Sequence, residues 1–159
     1  RSVVDMSIET MVELAKLPNI IGVKDASNDP TRPTNLRIAL DGLKFTQFSG
    51  EDPSQLGFMA AGGEGIISVT ANVAPQLMSS FHSEWKNQKI EEARNIQERL
   101  MPLHNALFLE TSPAPVKYAA SLMDVCSSEV RLPLVEPLQE TKIKLRDALE
   151  KLQLIGKRA

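Results

Sequence analysis

The chain has 159 residues, 42% of them hydrophobic, and sets 18 basic side chains against 20 acidic ones for a net charge of -2. This is enough chain and enough apolar content to bury a sizeable core. The interspersed charges, with no basic run of five or more, argue against nucleic acid or a membrane surface as partner. Apolar runs such as 65–69 fall far short of the ~18 residues a spanning helix needs. No signal-peptide pattern opens the chain, and the expectation is a soluble, cytoplasmic protein. Cys126 is the one cysteine, so no intrachain disulfide forms; with no adjacent histidine it reads as structural.

Ser7 can cap a helix in which Ile8, Met11, Val12 and Ala15 fall at helical spacing, and Pro18 stops it. A strand at 20–24 follows. Residues 28–33 carry turn chemistry, and Pro33 suits the first turn of a helix bearing Leu36 and Leu40 before Gly42 closes it. A second strand is expected at 44–49, and Asp52 with Pro53 forms a cap and first-turn pair for a short helix that ends at Gly62-Gly63. The third strand is expected at 66–69. Pro75 then opens a helix with Leu77, Met78, Phe81 and Trp85 on one side. Ile90, Ala93, Ile96, Leu100 and Leu107 mark a long amphipathic helix kinked at Pro102, and Val116, Ala119, Ala120 and Met123 mark another. The stretch 132–138 is too rich in proline for a helix interior, and a last helix spans 140–152.

Helices and strands thus alternate, with strand starts about every 22 to 25 residues, which argues parallel strands joined by crossover helices. Such strands need cover on both faces, and an open sheet leaves two edges of unpaired backbone. Closure removes the edges. A complete (β/α)8 barrel takes about 200 to 250 residues, so the α/β reading is part of a barrel over 1–86 followed by a helical domain over 87–159. The chain opens on Arg1 and enters a helical pattern at once, as a segment beginning in mid-fold would.

Lys24 ends the apolar run Asn19-Ile20-Ile21-Gly22-Val23. Burial at a strand's C-terminal mouth would disfavour its ammonium form and leave an amine able to attack a carbonyl carbon. The plainer reading is a lysine that reaches the rim or pairs with Asp25. His82 and His104 have no cysteine or carboxylate at ligand spacing, read as structural and leave no metal expected. Glu110, ahead of Thr111-Ser112-Pro113, reads as the holder of a helix start.

Five ordered stretches carry a family resemblance. Leu17-Pro18-Asn19-Ile20-Ile21-Gly22-Val23-Lys24-Asp25-Ala26-Ser27 resembles the Schiff-base strand of the dihydrodipicolinate synthase and N-acetylneuraminate lyase superfamily. Ser49-Gly50-Glu51-Asp52 and Gly62-Gly63-Glu64-Gly65-Ile66-Ile67-Ser68-Val69-Thr70-Ala71-Asn72 resemble its next two strand ends. Arg99-Leu100-Met101-Pro102-Leu103-His104 and Pro113-Ala114-Pro115-Val116-Lys117 are similar to its C-terminal helical region, and the wording is nearest the dihydrodipicolinate synthases.

The resemblance implies the C-terminal portion of a (β/α)8 TIM barrel with extra helices, in a homotetrameric lyase of lysine (diaminopimelate) biosynthesis that needs no cofactor. Lys24 would form the Schiff base with pyruvate, and the resulting enamine would condense with aspartate semialdehyde to 4-hydroxy-tetrahydrodipicolinate. Arg1, in Arg1-Ser2-Val3-Val4-Asp5, would orient the semialdehyde carboxylate. Ile67 would offer its backbone carbonyl near pyruvate while its side chain packs, and Gly50 would allow close backbone approach. The family's relay of one threonine and two tyrosines lies ahead of Arg1, whereas this chain's single tyrosine is Tyr118. Two readings follow: a segment of a longer enzyme whose N-terminal half is its partner, or a half-barrel inactive alone and kept for a structural or oligomerisation role. Another pyruvate-dependent class I aldolase of the superfamily is the alternative chemistry.

Overall fold

The computed structural model describes residues 4–156, and its contacts divide the chain into two compact units, 1–68 and 69–159. In the first, α1 (Ile8–Ala15), β1 (Gly22–Asp25), α2 (Arg32–Leu40), β2 (Thr46–Ser49), α3 (Gln55–Ala60) and β3 (Gly65–Ile66) alternate in the expected order. The strands are parallel in the order β1-β2-β3, with Lys24 opposite Phe48, Asp25 opposite Ser49, and Phe48 opposite Gly65.

Local chemistry sets the helix ends. The Ser7 hydroxyl accepts from the Thr10 amide at 3.2 Å, which satisfies one of the free donors of α1. Pro33 sits in the first turn of α2, where its missing N–H costs nothing. Asp41, at φ 46, turns the chain out of that helix in the left-handed region. Met11, Leu36 and Leu40 form the buried centre of this unit, with Ile8, Val12, Ala15, Val23 and Phe45 packed around them. Burying each of the three contributes roughly 1.5 to 3 kcal/mol.

The strands are shorter than their apolar patterns suggest. The third pairs only at Gly65 and Ile66, and 70–72, next to the expected strand at 66–69, forms the 3₁₀ turn Thr70–Asn72. Within β2 the buried residues are polar, Gln47 and Ser49, and Gln47 Nε2 donates to the Pro33 carbonyl at 3.1 Å. Asp52 is fully buried, its carboxylate accepting from the Ser68 hydroxyl, and the position preceding α3 is Ser54. The expected pairing of Asp52 with Pro53 as cap and first turn is therefore corrected: the carboxylate reaches across to a distant loop.

The second unit holds α4 (Pro75–Lys86), α5 (Ile90–Ala106), α6 (Ala114–Ser121) and α7 (Gln139–Lys151). Its core is built from Phe81, Leu100, Leu103, Leu107, Leu145 and Leu149, all fully buried, and α5 runs on through Pro102. Because α4 packs on the 3₁₀ turn and α5, the contact boundary falls one helix ahead of the 86/87 division read from barrel order. Among the described residues no helix is long and apolar enough to cross a membrane.

Candidate active site at the strand ends

Side chains alternate across a strand. Val23 packs toward Met11, Leu36 and Leu40, so Lys24 projects from the opposite face of the sheet. Its register partner Phe48 shares that face, as does Ile67 just beyond β3. In a closed (β/α)8 barrel this is the interior face, and the C-terminal strand ends are where catalytic groups gather. Lys24 is exposed here, against the expectation of burial, because these three strands and their helices cover it from one side only.

Gly50 clears a path for the lysine. Its amide donates to the Asp25 carbonyl at 2.6 Å, extending the ladder by one bond and pinning the glycine against the end of β1. A Cβ built on Gly50 would lie 2.8 Å from Lys24 Cε and 2.8 Å from Ala26 Cβ, inside van der Waals contact. Glycine is therefore the residue that lets the aminobutyl chain of Lys24 pass.

The neighbours of these two residues are acidic. Asp25 has only 9% of its side chain exposed; its Oδ1 accepts from the Ser27 amide at 2.8 Å, and its Oδ2 lies 3.4 Å from Arg32 Nε. Burial, then the adjacent Asp52, pushes the Glu51 carboxyl above its ordinary value. Lys24 and Asp25 share an open cavity of about 610 Å³ with Val4, Asp5, Met6 and Arg32.

The other candidates divide. Arg1 lies outside the described residues. The amide of Ile67 donates to the Ser49 carbonyl at 2.8 Å, at the strand end as expected, but its side chain is 51% exposed and does not pack, because it belongs to the same open face as Lys24. His104 is fully buried with Nδ1 2.7 Å from Thr70 Oγ1, a structural setting, and His82 is half-buried beside Phe81. Cys126 is exposed and is not a packing residue. Glu110 holds not the helix that follows Pro113, whose start has no side-chain cap bond, but the start of α7: its carboxylate accepts from the Leu138 amide at 2.9 Å. No group of three or more His, Cys, Asp or Glu side chains among the described residues could hold a metal ion.

One charged neighbour of Lys24 and Asp25 escapes sequence reasoning. Arg32 stands in the first turn of a helix, where a cation opposes the macrodipole. That local oddity was the available signal of a carboxylate brought to it by the fold.

Parallel βα units carrying a lysine at a strand end, followed by a run of helices, define a partial (β/α)8 barrel with a helical C-terminal part. The chain belongs to the dihydrodipicolinate synthetase family, whose model matches residues 1–152. The 4-hydroxy-tetrahydrodipicolinate synthase of Rhodospirillum centenum is 54% identical over 98% of this chain and 53% of its own length; that of Gluconobacter oxydans is 50% identical over 98% and 52%. Among solved structures, the dihydrodipicolinate synthase of Aquifex aeolicus matches with a TM-score of 0.92 at 36% identity, covering 99% of this chain and 54% of that one. The chloride-inhibited enzyme of Acinetobacter baumannii, complexed with pyruvate, matches with a TM-score of 0.88 at 38% identity, covering 95% and 52%. The chain spans about half the length of the curated relatives it matches.

Proposed function

We propose that this chain supplies the Schiff-base lysine of a 4-hydroxy-tetrahydrodipicolinate synthase. The observation that carries the reading is the placement of Lys24 at the C-terminal end of β1, on the inward face of a family barrel, with Gly50 clearing its side chain. The Lys24 amine attacks the keto carbon of pyruvate, water leaves, and a protonated imine forms. That cation draws electrons from the adjacent methyl group, which loses a proton to give an enamine. Its carbon then attacks the aldehyde carbon of aspartate semialdehyde and forms the new C–C bond. Binding of pyruvate by the Acinetobacter baumannii neighbour supports the first substrate.

In the same reading Arg1 holds the semialdehyde carboxylate through its planar, bidentate guanidinium. Ile67 turns its backbone carbonyl toward pyruvate, and residues 1–86 complete the barrel while 87–159 form the helical domain. Protons are relayed by a threonine and two tyrosines supplied from outside this chain, so residues 1–159 alone do not turn over substrate. The complete barrel works as a cytoplasmic homotetramer.

Steady-state assays of the full chain that carries this sequence test the proposal. Pyruvate with aspartate semialdehyde is expected to turn over, and residues 1–159 alone are expected to be inert. Turnover of a sugar or keto-acid aldehyde in preference to the semialdehyde would assign a different aldolase of the superfamily.

A further inference from the structure

Arg32 is a charged side chain with 11% exposure, and three groups from two chain segments converge on it. Nη1 donates to Asp5 Oδ2 at 2.7 Å, Nη2 donates to the Met6 carbonyl oxygen, and Nε lies 3.4 Å from Asp25 Oδ2 without an aligned hydrogen bond. The hydrogen bond from Arg32 is the largest influence holding the Asp5 carboxyl below its ordinary value. Asp25 is the residue after Lys24, and its carboxylate is gripped from the other side by the Ser27 amide.

The segment it holds is otherwise exposed: Val4 is 79% exposed and the Asp5 side chain 70%. The five donors of a guanidinium sit in a fixed, spread plane, so Arg32 can hold the Asp5 carboxylate and the Met6 carbonyl through separate nitrogens while its charge stays beside Asp25; the donors of an ammonium radiate from one nitrogen. Arg32 therefore joins the 4–6 segment to the end of the strand that bears Lys24, and that segment walls the cavity into which Lys24 opens.

We infer that Arg32 is a positioning residue: it latches the 4–6 segment against β1 so that the second substrate meets a formed wall beside Lys24. The inference rests on the Schiff-base reading and goes beyond it, because Arg32 touches neither Lys24 nor Gly50 in the contacts described. Its effect belongs to the acceptor step and not to imine formation.

The gentler perturbation is Asp5→Ala, which opens the latch from its exposed side and leaves Arg32 beside Asp25. In the full chain that carries this sequence, borohydride trapping with pyruvate should label Lys24 within about twofold of the unmodified rate, while kcat/KM for aspartate semialdehyde falls about threefold to tenfold, chiefly through KM. Arg32→Lys, which keeps the charge and loses the fork, should move the same parameter in the same direction. The double variant should be no worse than the weaker of the two singles, as members of one latch require. Unchanged semialdehyde kinetics in Asp5→Ala, or equal losses in trapping and acceptor turnover, would overturn the latch. Absence of any Lys24 adduct in the unmodified enzyme would instead remove the Schiff-base reading, so the two failures are distinguishable.

Discussion

Replacing Gly50 with alanine adds one methyl group where the backbone cannot retreat, since its amide is tied to the Asp25 carbonyl at 2.6 Å. The new Cβ would start 2.8 Å from Lys24 Cε and from Ala26 Cβ, and 3.3 Å from the Asp25 carbonyl oxygen. Carbon atoms in contact settle at about 3.5 to 4.0 Å, so the lysine chain, as the most mobile of the three neighbours, moves by roughly 1 Å. Displacing a reacting group by that distance costs on the order of a hundredfold in rate, whereas overpacking of this size costs about 1 to 3 kcal/mol of stability. The assay is the rate of pyruvate-dependent borohydride trapping in the full chain carrying Gly50→Ala, read beside a urea unfolding curve. A tenfold to hundredfold slower adduct in a still-folded variant is the expected result. An unchanged trapping rate would refute the idea that Gly50 exists to clear Lys24.

Ser7→Ala removes the cap bond to the Thr10 amide and should lower stability by about 1 kcal/mol, measured as a shift in urea midpoint without a change in slope. Thr70→Val deletes the hydroxyl 2.7 Å from His104 Nδ1 in a fully buried setting, and the loss should be larger, about 1 to 3 kcal/mol, in the same measurement. His82 is held below its ordinary 6.5 first by burial and then by the positive Lys86. The unfolded chain therefore takes up its proton first as the pH falls, so the stability contributed by neutral His82 is intact above 6.5 and drains away toward the lower folded value. His82→Gln should flatten the fall in unfolding midpoint between about pH 7 and pH 5.5, the range over which an ordinary histidine titrates; an unaltered slope would show that other groups set it.

The helix ends and the order of elements were legible because they rest on local chemistry. Ser7 and Pro33 sit where short-range capping and first-turn rules place them, and the spacing of Met11, Leu36 and Leu40 marks the faces that meet. Long-range choices were not legible. The reach of Asp52 to Ser68, the burial of Gln47 and Ser49 in β2, and the convergence of Asp5, Met6 and Asp25 on Arg32 each join residues that no local rule connects. At the site, Lys24 and Gly50 stood out through the resemblance of their flanking words, but the physical link between them, a missing Cβ against an aliphatic chain, exists only once β1 and β2 are in register. The exposure of Ile67 was missed for a related reason: which face a strand-end residue takes depends on where pairing stops, and β3 stops after two residues.

The central claim is that Lys24 forms the imine. Incubating the full chain that carries this sequence with pyruvate and borohydride, followed by proteolysis and mass mapping, tests it most directly. The mass of a reduced pyruvate adduct is predicted on the peptide bearing Lys24, and Lys24→Arg should abolish it because a guanidinium does not give up its proton near neutral pH. An adduct mapped to Lys16, Lys44 or Lys117, or one that survives Lys24→Arg, would contradict the account.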